Sequence, residues 1–424
     1  MPILRTLRGS AAVKELQAAA DDALLKAELK VRPVQKAVKA FGDKALIEYT
    51  QRFDSVGLSK HTLEVSKKER IQALKRLPKK IVAALATAGR NIETYAKLQL
   101  PSEWKREVQP GIFLGQIIRP LLRVGCYVPC GAAPLPSTAL MTVIPAKVAG
   151  VAEVIVCVPP KEHSWEVIAA AEFAGADRIF RVGGAQAIFA MAYGTETVPK
   201  VDKIAGPGNI FVTAAKRLAF GDCGIDMLAG PSEVLVYSNS GNPVFIAADL
   251  LAQAEHDASA RPLFVTTNEA LAKEVNAEAE KQLSELPHST TASASLRKNG
   301  AIVMVKNEEE ACAVINALAP EHLELYEMTG SLLAKVRNAG AIFGGPYSAE
   351  VLGDYVAGPS HVIPTGGTAR FRGALGAHDF VKIITYQEIS RDGFNSLADA
   401  AATLAETEGL LAHKHAVEVR KKQC

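Results

Sequence analysis

Residues 154–186, which read VIVCVPPKEHSWEVIAAAEFAGADRIFRVGGAQ, predict a strand–helix–strand unit. The β-branched run Val154–Val158 predicts a buried strand, and Ser164–Phe173 has the length and composition of a helix. A second short run, Ile179–Val182, is followed by a pair of glycines. Because short strands alternate here with longer helices, the unit predicts a parallel sheet that is covered by helices on both faces.

The same alternation continues over most of the chain. Further strands are predicted at Val124–Val128, Val234–Tyr237, Leu263–Thr266, Ile302–Val305 and Ala341–Phe343, and further helices at Asn209–Ala219, Val244–His256 and Asn268–Leu286. So many strand–helix units would crowd one open sheet, which favours two sheets. The fold class that we predict is α/β, with two doubly wound (Rossmann-like) parallel-sheet domains, one inserted in the other.

Both ends of the chain are predicted to be helical, because apolar residues recur there at three- and four-residue spacing. These helices are Lys14–Leu29, Val31–Phe53, Lys67–Leu98 and Asn395–Val419. Glycine- and proline-rich turns at Pro129–Pro136 and Gly230–Ser232 indicate where the chain crosses between domains. We therefore expect a helical extension over 1–22, a main α/β domain over 23–128 and 234–375, an inserted domain over 129–233, and a helical extension over 376–424.

The composition excludes several classes of protein. The 424 residues contain 48 Lys and Arg against 45 Asp and Glu, and a net charge of +3 does not indicate a nucleic-acid binder. Six cysteines are too few for a disulfide scaffold, so reduced thiols and a cytoplasmic location are expected. The longest apolar stretch, Ala139–Val158, is interrupted by Lys147 and Glu153, which excludes a membrane span. The first residues also lack the apolar core of a signal peptide.

Four glycine turns accompany the predicted strands, although the Gly-x-Gly-x-x-Gly sequence typical of dinucleotide-binding domains is absent. They are Tyr127–Gly131, Val182–Gln186, Ala205–Asn209 and Ala229–Glu233. Free backbone N–H groups at the start of a helix stabilise an anion, but strand-to-helix turns use glycine and proline in any case. Gln186, Asn209 and Ser232 stand at or near the ends of three of these turns, which favours a polar ligand without identifying it.

Four of the nine histidines have carboxylate or amide neighbours. The pairs are Gln253 with His256, Glu321 with His322, Asp354 with His361, and Glu408 with His413. A single histidine of this kind is more often an ordinary surface or core residue, but the set offers the nitrogen and oxygen ligands that zinc accepts. Because no His-Glu-x-x-His or Cys-x-x-Cys motif is present, the spacing leaves a metal site and ordinary side chains equally open.

The neighbours of these residues also predict local structure. The three-residue spacing of Gln253 and His256 places both side chains on one face of a helix. The pair Glu321 and His322 follows a proline, which indicates a fixed loop. The glycines around the segment from residue 354 to residue 361 indicate a second loop, which can fold closely around a ligand.

Several long motifs make the sequence similar to one enzyme family. Residues 224–233 read GIDMLAGPSE, and the similarity runs on to Gln253-Ala-Glu-His256. Further motifs are GDKAL from residue 42, RFD from 52, RVGGAQAI from 181, VDKIAGPGN from 201, APEHLE from 319 and GDYVAGPSHVIPTGG from 353. With these motifs, over nearly its whole length, the chain resembles histidinol dehydrogenase. The resemblance implies a cytoplasmic, zinc-dependent homodimer that oxidises L-histidinol to L-histidine through L-histidinaldehyde with two NAD+, the last step of histidine biosynthesis.

The resemblance also implies a role for each candidate residue. The zinc ligands would be Gln253, His256, Asp354 and His413, the last from the partner subunit, which the C-terminal extension would reach. Glu321 and His322 would be the catalytic pair, and NAD would be held by Tyr127, Gln186 and Asn209. The substrate would contact Ser232, Gln253, His256, His322, Asp354, His361, Glu408 and His413. The chain departs from the family at Cys130, where glycine is more usual and cofactor affinity could change, and at Ser360, where asparagine is common.

The chemistry of the implied reaction gives the two catalytic residues different tasks. An imidazole with a pKa near neutrality suits removal of the hydroxyl proton, so His322 is expected to act in both oxidations. Water must then attack the aldehyde, and Glu321 is the expected base for that step. Three other interpretations remain open: a zinc hydrolase in which Glu321 activates a metal-bound water, a dehydrogenase of the same fold acting on another amino or sulfo alcohol, and a non-catalytic binding module.

Overall fold

The structure is a computed structural model that describes residues 2–9, 11–17, 21–130, 134–287 and 289–422. Its strands are β1 (Arg5–Arg8), β2 (Trp104–Gln109), β3 (Ile112–Pro120), β4 (Arg123–Tyr127), β5 (Glu153–Cys157), β6 (Arg178–Phe180), β7 (Lys203–Ala205), β8 (Gly224–Ile225), β9 (Glu233–Tyr237), β10 (Arg261–Thr266), β11 (Ala301–Met304), β12 (His322–Leu325), β13 (Ala341–Gly344) and β14 (Val381–Ile389). Its α-helices are α1 (Ala11–Gln17), α2 (Asp21–Asp54), α3 (Lys67–Arg76), α4 (Lys79–Leu98), α5 (Pro136–Val148), α6 (Ser164–Phe173), α7 (Gly184–Tyr193), α8 (Ile210–Ala219), α9 (Pro243–His256), α10 (Glu269–Glu285), α11 (Thr290–Asn299), α12 (Glu308–Leu318), α13 (Gly330–Lys335), α14 (Glu350–Tyr355), α15 (Arg391–Thr407) and α16 (Leu411–Lys421). None of these helices combines the length and the hydropathy needed to span a bilayer.

The chain forms two compact units, Met1–Gln99 with Leu122–Phe380, and Leu100–Leu121 with Val381–Cys424.

The first unit contains two parallel sheets. One sheet has the strand order β6-β5-β4-β7-β8, and the other has the order β1-β11-β10-β9-β12-β13. Every neighbouring pair of strands in both sheets is parallel. In the first sheet the chain winds from the central strand β4 to one edge and then returns to build the other edge, which is the doubly wound arrangement. The second sheet is built in the same way from β9, and the first strand of the chain, β1, is added at its edge beside β11. The predicted α/β class with two Rossmann-like sheets is therefore confirmed.

Helices cover both faces of each sheet. Successive side chains of a strand point to opposite faces, so a strand that is apolar throughout must be covered on both sides. On β9, Val234 and Val236 belong to a core that includes residues of α9, α10 and α11. Leu235 and Tyr237 belong to a separate core with residues of α1, α12 and α13. On the first sheet, Phe180 packs in the core that α2, α7 and α8 share.

The N-terminal half of the first unit differs from the prediction in three details. The helix α2 has no break at residue 30 and instead bends at Gly42, where φ is 49° and ψ is −127°. The predicted Lys67–Leu98 helix is two helices, because Pro78 holds Leu77 in an extended conformation. Residues 18–20 of the predicted first helix lie outside the described residues. The strand β4 joins the same sheet as β5 and β7, so that sheet begins before residue 129, and the domain boundaries themselves stay a prediction.

The second unit contains an antiparallel sheet that the sequence analysis did not predict, with the order β14-β3-β2. Two of its strands, β2 and β14, are mostly exposed, so they lack the continuous apolar runs that marked the parallel strands. The turn between β2 and β3 contains Gly111 at a φ of 72°, a conformation that favours glycine, so Gly111 is the local sequence signal of this hairpin. The C-terminal extension is therefore α-helical only from Arg391, and the N-terminal extension contains the short edge strand β1. The extensions contain the predicted helices, but each also contains a strand that was not predicted.

Candidate active site

A cavity of about 320 Å³ lies between the two parallel sheets. One wall is formed by Pro129 and the turn Gly206–Asn209, which follow β4 and β7 at the carboxyl edge of the first sheet. The strand order reverses between β4 and β7, and this is where doubly wound sheets bind their ligands. The opposite wall includes Ser232, Glu321 and His322, which lie at the amino edge of the second sheet. The cavity therefore lies between the carboxyl edge of the first sheet, which is the usual ligand-binding edge, and the amino edge of the second sheet.

Glu321 and His322 are held by the backbone of a single residue, Glu233. The N–H of Glu233 donates to Oε2 of Glu321 at 2.8 Å, and Nδ1 of His322 lies 2.9 Å from the Glu233 carbonyl oxygen. Because a carbonyl oxygen only accepts, Nδ1 carries the proton and Nε2 is the basic nitrogen. Nε2 is buried and has no hydrogen-bond partner in the described part of the chain. The predicted loop is wrong here, since His322 begins β12, where Leu323 and Leu325 supply the period of a buried strand.

Burial shifts the acid–base properties of this pair in opposite directions. Removal from water disfavours a charged form, so it raises the pKa of Glu321 well above its usual value. The same cause lowers the pKa of His322. Glu321 is thereby a stronger base than an exposed carboxylate, and His322 is held neutral with Nε2 free to accept a proton.

Asp354 lies between two of the candidate histidines. Its Oδ2 is 3.8 Å from Nε2 of His256, and its Oδ1 is 3.8 Å from Nε2 of His322. Its backbone carbonyl oxygen is 2.8 Å from Nδ1 of His361, so that nitrogen carries the proton. Nε2 of His361 therefore accepts from the hydroxyl of Thr138, at 3.0 Å. The structure thus brings His256, His322, Asp354 and His361 together, and all four line the cavity.

The side chain of Gln253 is a candidate metal ligand because its amide makes no hydrogen bond to the described residues. It lies on α9 one turn before His256, as the spacing predicted, and its side chain is fully buried. Both polar atoms of its amide have no hydrogen-bond partner among the described residues, which is costly unless a ligand binds them. Amide oxygen, imidazole and the carboxylate of Asp354 are donors that zinc accepts. Within the described ranges, no group of three or more His, Cys, Asp or Glu side chains is already arranged as a metal site.

The helix α14 carries Asp354 and a second carboxyl group, Glu350, that the sequence analysis did not identify. A loop was predicted from Asp354 to His361, but Asp354 lies inside the helix, because one glycine, Gly353, is not enough to break it. Glu350 is fully buried, and its Oε2 lies 3.6 Å from Nδ1 of His322. Burial raises the pKa of Glu350 well above its usual value. No local pattern marked this residue.

Two more buried acids, Glu324 and Asp249, lie close to Glu350. The Glu350 N–H donates to Oε1 of Glu324 at 2.8 Å, and the hydroxyl of Tyr326 donates to Oδ2 of Asp249 at 2.7 Å. Burial, together with the neighbouring Asp249, raises the pKa of Glu324 to about 9. The alternation of β12 could have shown that Glu324 shares a face with His322, whereas Asp249 has no such signal.

The candidate NAD residues lie at or after the carboxyl ends of strands of the first sheet. Tyr127 ends β4, Gln186 lies in the first turn of α7, and Asn209 caps α8 by accepting two backbone N–H groups. The Tyr127 hydroxyl accepts the N–H of Gly184 at 3.1 Å, and Oε1 of the buried Gln186 has no partner among the described residues. Of the three, Asn209 lines the cavity. Cys130 is buried, and residues 131–133 of its turn lie outside the described residues.

Two candidate residues belong to the second unit. Glu408 directly follows α15, and His413 lies in the first turn of α16. Both side chains are exposed there. Their roles, like the other individual site assignments, stay predictions.

Comparison with known proteins identifies the family. A family model described as histidinol dehydrogenase matches residues 17–421. The chain is 49% identical over 399 residues to a histidinol dehydrogenase of Streptococcus mutans, with 93% of each chain covered, and 48% identical over 396 residues to one of Aquifex aeolicus, with 93% and 92% covered. It matches a crystal structure of histidinol dehydrogenase from Elizabethkingia anophelis with a TM-score of 0.93 and 37% identity, over 100% of this chain and 99% of that one. The chain therefore belongs to the histidinol dehydrogenase family and is an NAD-dependent oxidoreductase.

Proposed function

We propose that this protein oxidises L-histidinol to L-histidine through L-histidinaldehyde with two NAD+, as the last step of histidine biosynthesis in the cytoplasm. The observation that carries the proposal is the position of Nε2 of His322. Nε2 has no hydrogen-bond partner among the described residues, and His322 and Glu321 both line a cavity whose other wall is the ligand-binding edge of a doubly wound sheet. A base and a dinucleotide-type edge on facing walls are what an alcohol dehydrogenase needs.

His322 would handle the proton of each oxidation. Its Nδ1–H is bound to the Glu233 carbonyl, so the ring is fixed with Nε2 available to accept the proton of a substrate hydroxyl. Each oxidation, first of the alcohol and then of the hydrated aldehyde, removes one such hydroxyl proton. The same nitrogen therefore serves both steps, provided that it returns its proton to solvent between them.

Glu321 would act between the two oxidations. The aldehyde must gain water before it can lose a second hydride, and the raised pKa of Glu321 suits it to remove a proton from that water. The hydrogen bond from the Glu233 N–H to Oε2 holds one side of the carboxylate in place. Its role is separate from that of His322, although the two residues are adjacent in the chain.

The donor set fits one zinc ion per subunit, held by Gln253, His256 and Asp354 together with His413 of a second copy in a homodimer. The amide of Gln253, which has no hydrogen-bond partner within the described ranges, supports this assignment. When bound, zinc would hold the imidazole and amine nitrogens of the substrate and so fix the position of the reacting carbon. The same substrate would contact Ser232, Gln253, His256, His322, Asp354, His361, Glu408 and His413.

NAD would bind at the strand-order reversal of the first sheet, held by Tyr127, Gln186 and Asn209. Oε1 of Gln186, which has no partner in the part of the chain that the structure describes, offers an acceptor for a polar group of the ligand. When bound, NAD would accept a hydride in each oxidation. These three side chains would orient the dinucleotide at that edge of the sheet and hold it next to the cavity.

Counting NADH against histidinol consumed tests the whole proposal. We expect two NADH for each L-histidinol, because the alcohol is carried through to the carboxylate. The measurement is absorbance of NADH at completion, with the remaining histidinol quantified by chromatography. A ratio of one would indicate an ordinary alcohol dehydrogenase, and the absence of NADH would favour a zinc hydrolase or a binding module. Slow turnover of histidinol beside faster turnover of another amino or sulfo alcohol would reassign the substrate.

Mixed dimers test the shared metal site. The variants His256→Asn and His413→Asn should each be inactive alone, because each removes one ligand from both sites. In a dimer that contains one of each, one site has a full set of ligands and the other lacks two, so about half of the native activity and zinc content is expected. Tagged copies allow the mixed dimer to be purified and assayed. Activity no higher than that of either parent would contradict a site built from two subunits.

A further inference from the structure

Lys216 and Asp226 form an ion pair that is almost completely withdrawn from solvent. Lys216 lies on α8 and Asp226 directly follows β8, with Nζ and Oδ1 2.6 Å apart and each residue 2% exposed. Burial removes the hydration of both charges, so such a pair is often no more stabilising than an apolar pair of the same volume. Stability alone is therefore a weak explanation for its presence.

Both charged groups bind the backbone of Gly206. The Gly206 N–H donates to Oδ2 of Asp226 at 2.7 Å, and Nζ of Lys216 donates to the Gly206 carbonyl oxygen. Asp226 also accepts the N–H of Met227, at 2.6 Å. Because both hydrogen-bonding groups of Gly206 are bound by buried charges, its backbone cannot rotate without breaking a hydrogen bond to a buried charged group.

Gly206 is also fixed by the end of β4. Its φ is +116°, a region that favours glycine, and a Cβ there would collide with the carbonyl oxygen of Tyr127. The turn that it begins, Gly206–Asn209, lines the cavity, and so does Met227. Neither member of the ion pair is among the described residues that line it. The pair therefore acts on the cavity wall through the backbone of Gly206 and Met227.

We propose that Lys216 and Asp226 are positioning residues that hold the turn Gly206–Asn209 in the conformation that binds NAD. This inference rests on the proposed function, in which Asn209 contacts NAD at the reversal of strand order. A pair that acted only on stability would change NAD affinity only as far as it changed folding. If the pair positions the turn, NAD affinity should stay below that of the native protein even in a variant that lacks both charges and has regained its stability.

The variants Lys216→Met and Lys216→Met/Asp226→Asn separate these two effects. The single variant leaves a carboxylate buried without its partner, so its melting temperature should fall, whereas the double variant removes both charges and should recover much of that loss. In both, the dissociation constant of NADH, measured by fluorescence titration without substrate, should rise about tenfold or more. The KM of L-histidinol should change by less than about threefold, since the pair does not bind the second sheet.

Lys203→Met is the matched control. Lys203 lies on β7, the strand that leads into Gly206, and its Nζ is 3.0 Å from Oδ1 of Asp379, with side chains 15% and 10% exposed. The control therefore also loses a largely buried ion pair, but one that binds no residue of the cavity wall. Its melting temperature should fall while the dissociation constant of NADH stays within about twofold of native.

Three results would overturn the positioning role. The first is an affinity for NADH that recovers together with the melting temperature in the double variant. The second is a loss of NADH affinity in Lys203→Met equal to that in the Lys216 variants. The third is an affinity for NADH that is unchanged in every variant of the pair. If neither Lys216 variant folds, Asp226→Asn carries the test, because it keeps the shape and one accepting oxygen, and NADH should still bind more weakly. A native protein that does not bind NADH or does not reduce NAD with histidinol would instead overturn the proposed function, so the two failures are distinguishable.

Discussion

Replacement of His322 by Asn is expected to lower kcat of both oxidations by about 10²–10⁴-fold, the range for loss of a positioned general base. The Asn side-chain amide can still donate to the Glu233 carbonyl, as Nδ1 does in the native protein. It has no basic nitrogen, however, in the place of Nε2. The two steps are measured separately, as NADH formed from L-histidinol and from L-histidinaldehyde in single-turnover experiments.

The exposed His61 offers the control for this variant. His61 lies in the first unit, between α2 and α3, so His61→Asn makes the same chemical change away from the cavity and should leave both rates unchanged. Zinc content and melting temperature close to native would show that the His322 variant is folded and loaded. If either oxidation retained more than about a tenth of its native rate, His322 would not be its base.

The two parallel sheets were predictable because their strands are buried on both faces. Runs such as Val154–Val158 are apolar without interruption, and this pattern occurs where helices cover a sheet from both sides. The strands β2 and β14 lie in a sheet with much exposed surface, and their mixed polar and apolar residues gave no such run. The sequence therefore predicted the strands whose environment is uniform and missed those whose environment is not.

The candidate site was predictable only where its residues are neighbours on one element. The spacing of Gln253 and His256 identified one face of α9, and that face is seen in the structure. The approach of Asp354 to His256 and His322 depends on how α14 packs near the carboxyl end of α9 and the amino end of β12. Residue types and the resemblance to a family named these side chains, but spacing contains no information on contacts over such separations. Glu350 has neither kind of signal, and tertiary packing alone places it beside His322.

Replacement of Glu321 by Gln is expected to affect the second oxidation much more than the first. Gln has nearly the same shape and keeps an oxygen that can accept the Glu233 N–H, so the position of the side chain should persist. It cannot remove a proton from water, so NADH formation from L-histidinaldehyde should fall by about 10²–10³-fold. Oxidation of L-histidinol to the aldehyde should fall by less than about threefold, since that step uses His322. The change should therefore produce an enzyme that stops at the aldehyde.

The pH dependence gives an independent check on the same variant. A carboxylate acts as a base only above its pKa, so the native rate of aldehyde oxidation should fall as the pH is lowered through the raised pKa of Glu321. This fall should be absent from the residual activity of Glu321→Gln. Glu309→Gln, at an exposed position on α12, supplies the control and should retain the native profile. Equal losses in the two oxidations, or an unchanged acidic limb in the Glu321 variant, would show that Glu321 and His322 do not divide the reaction between them.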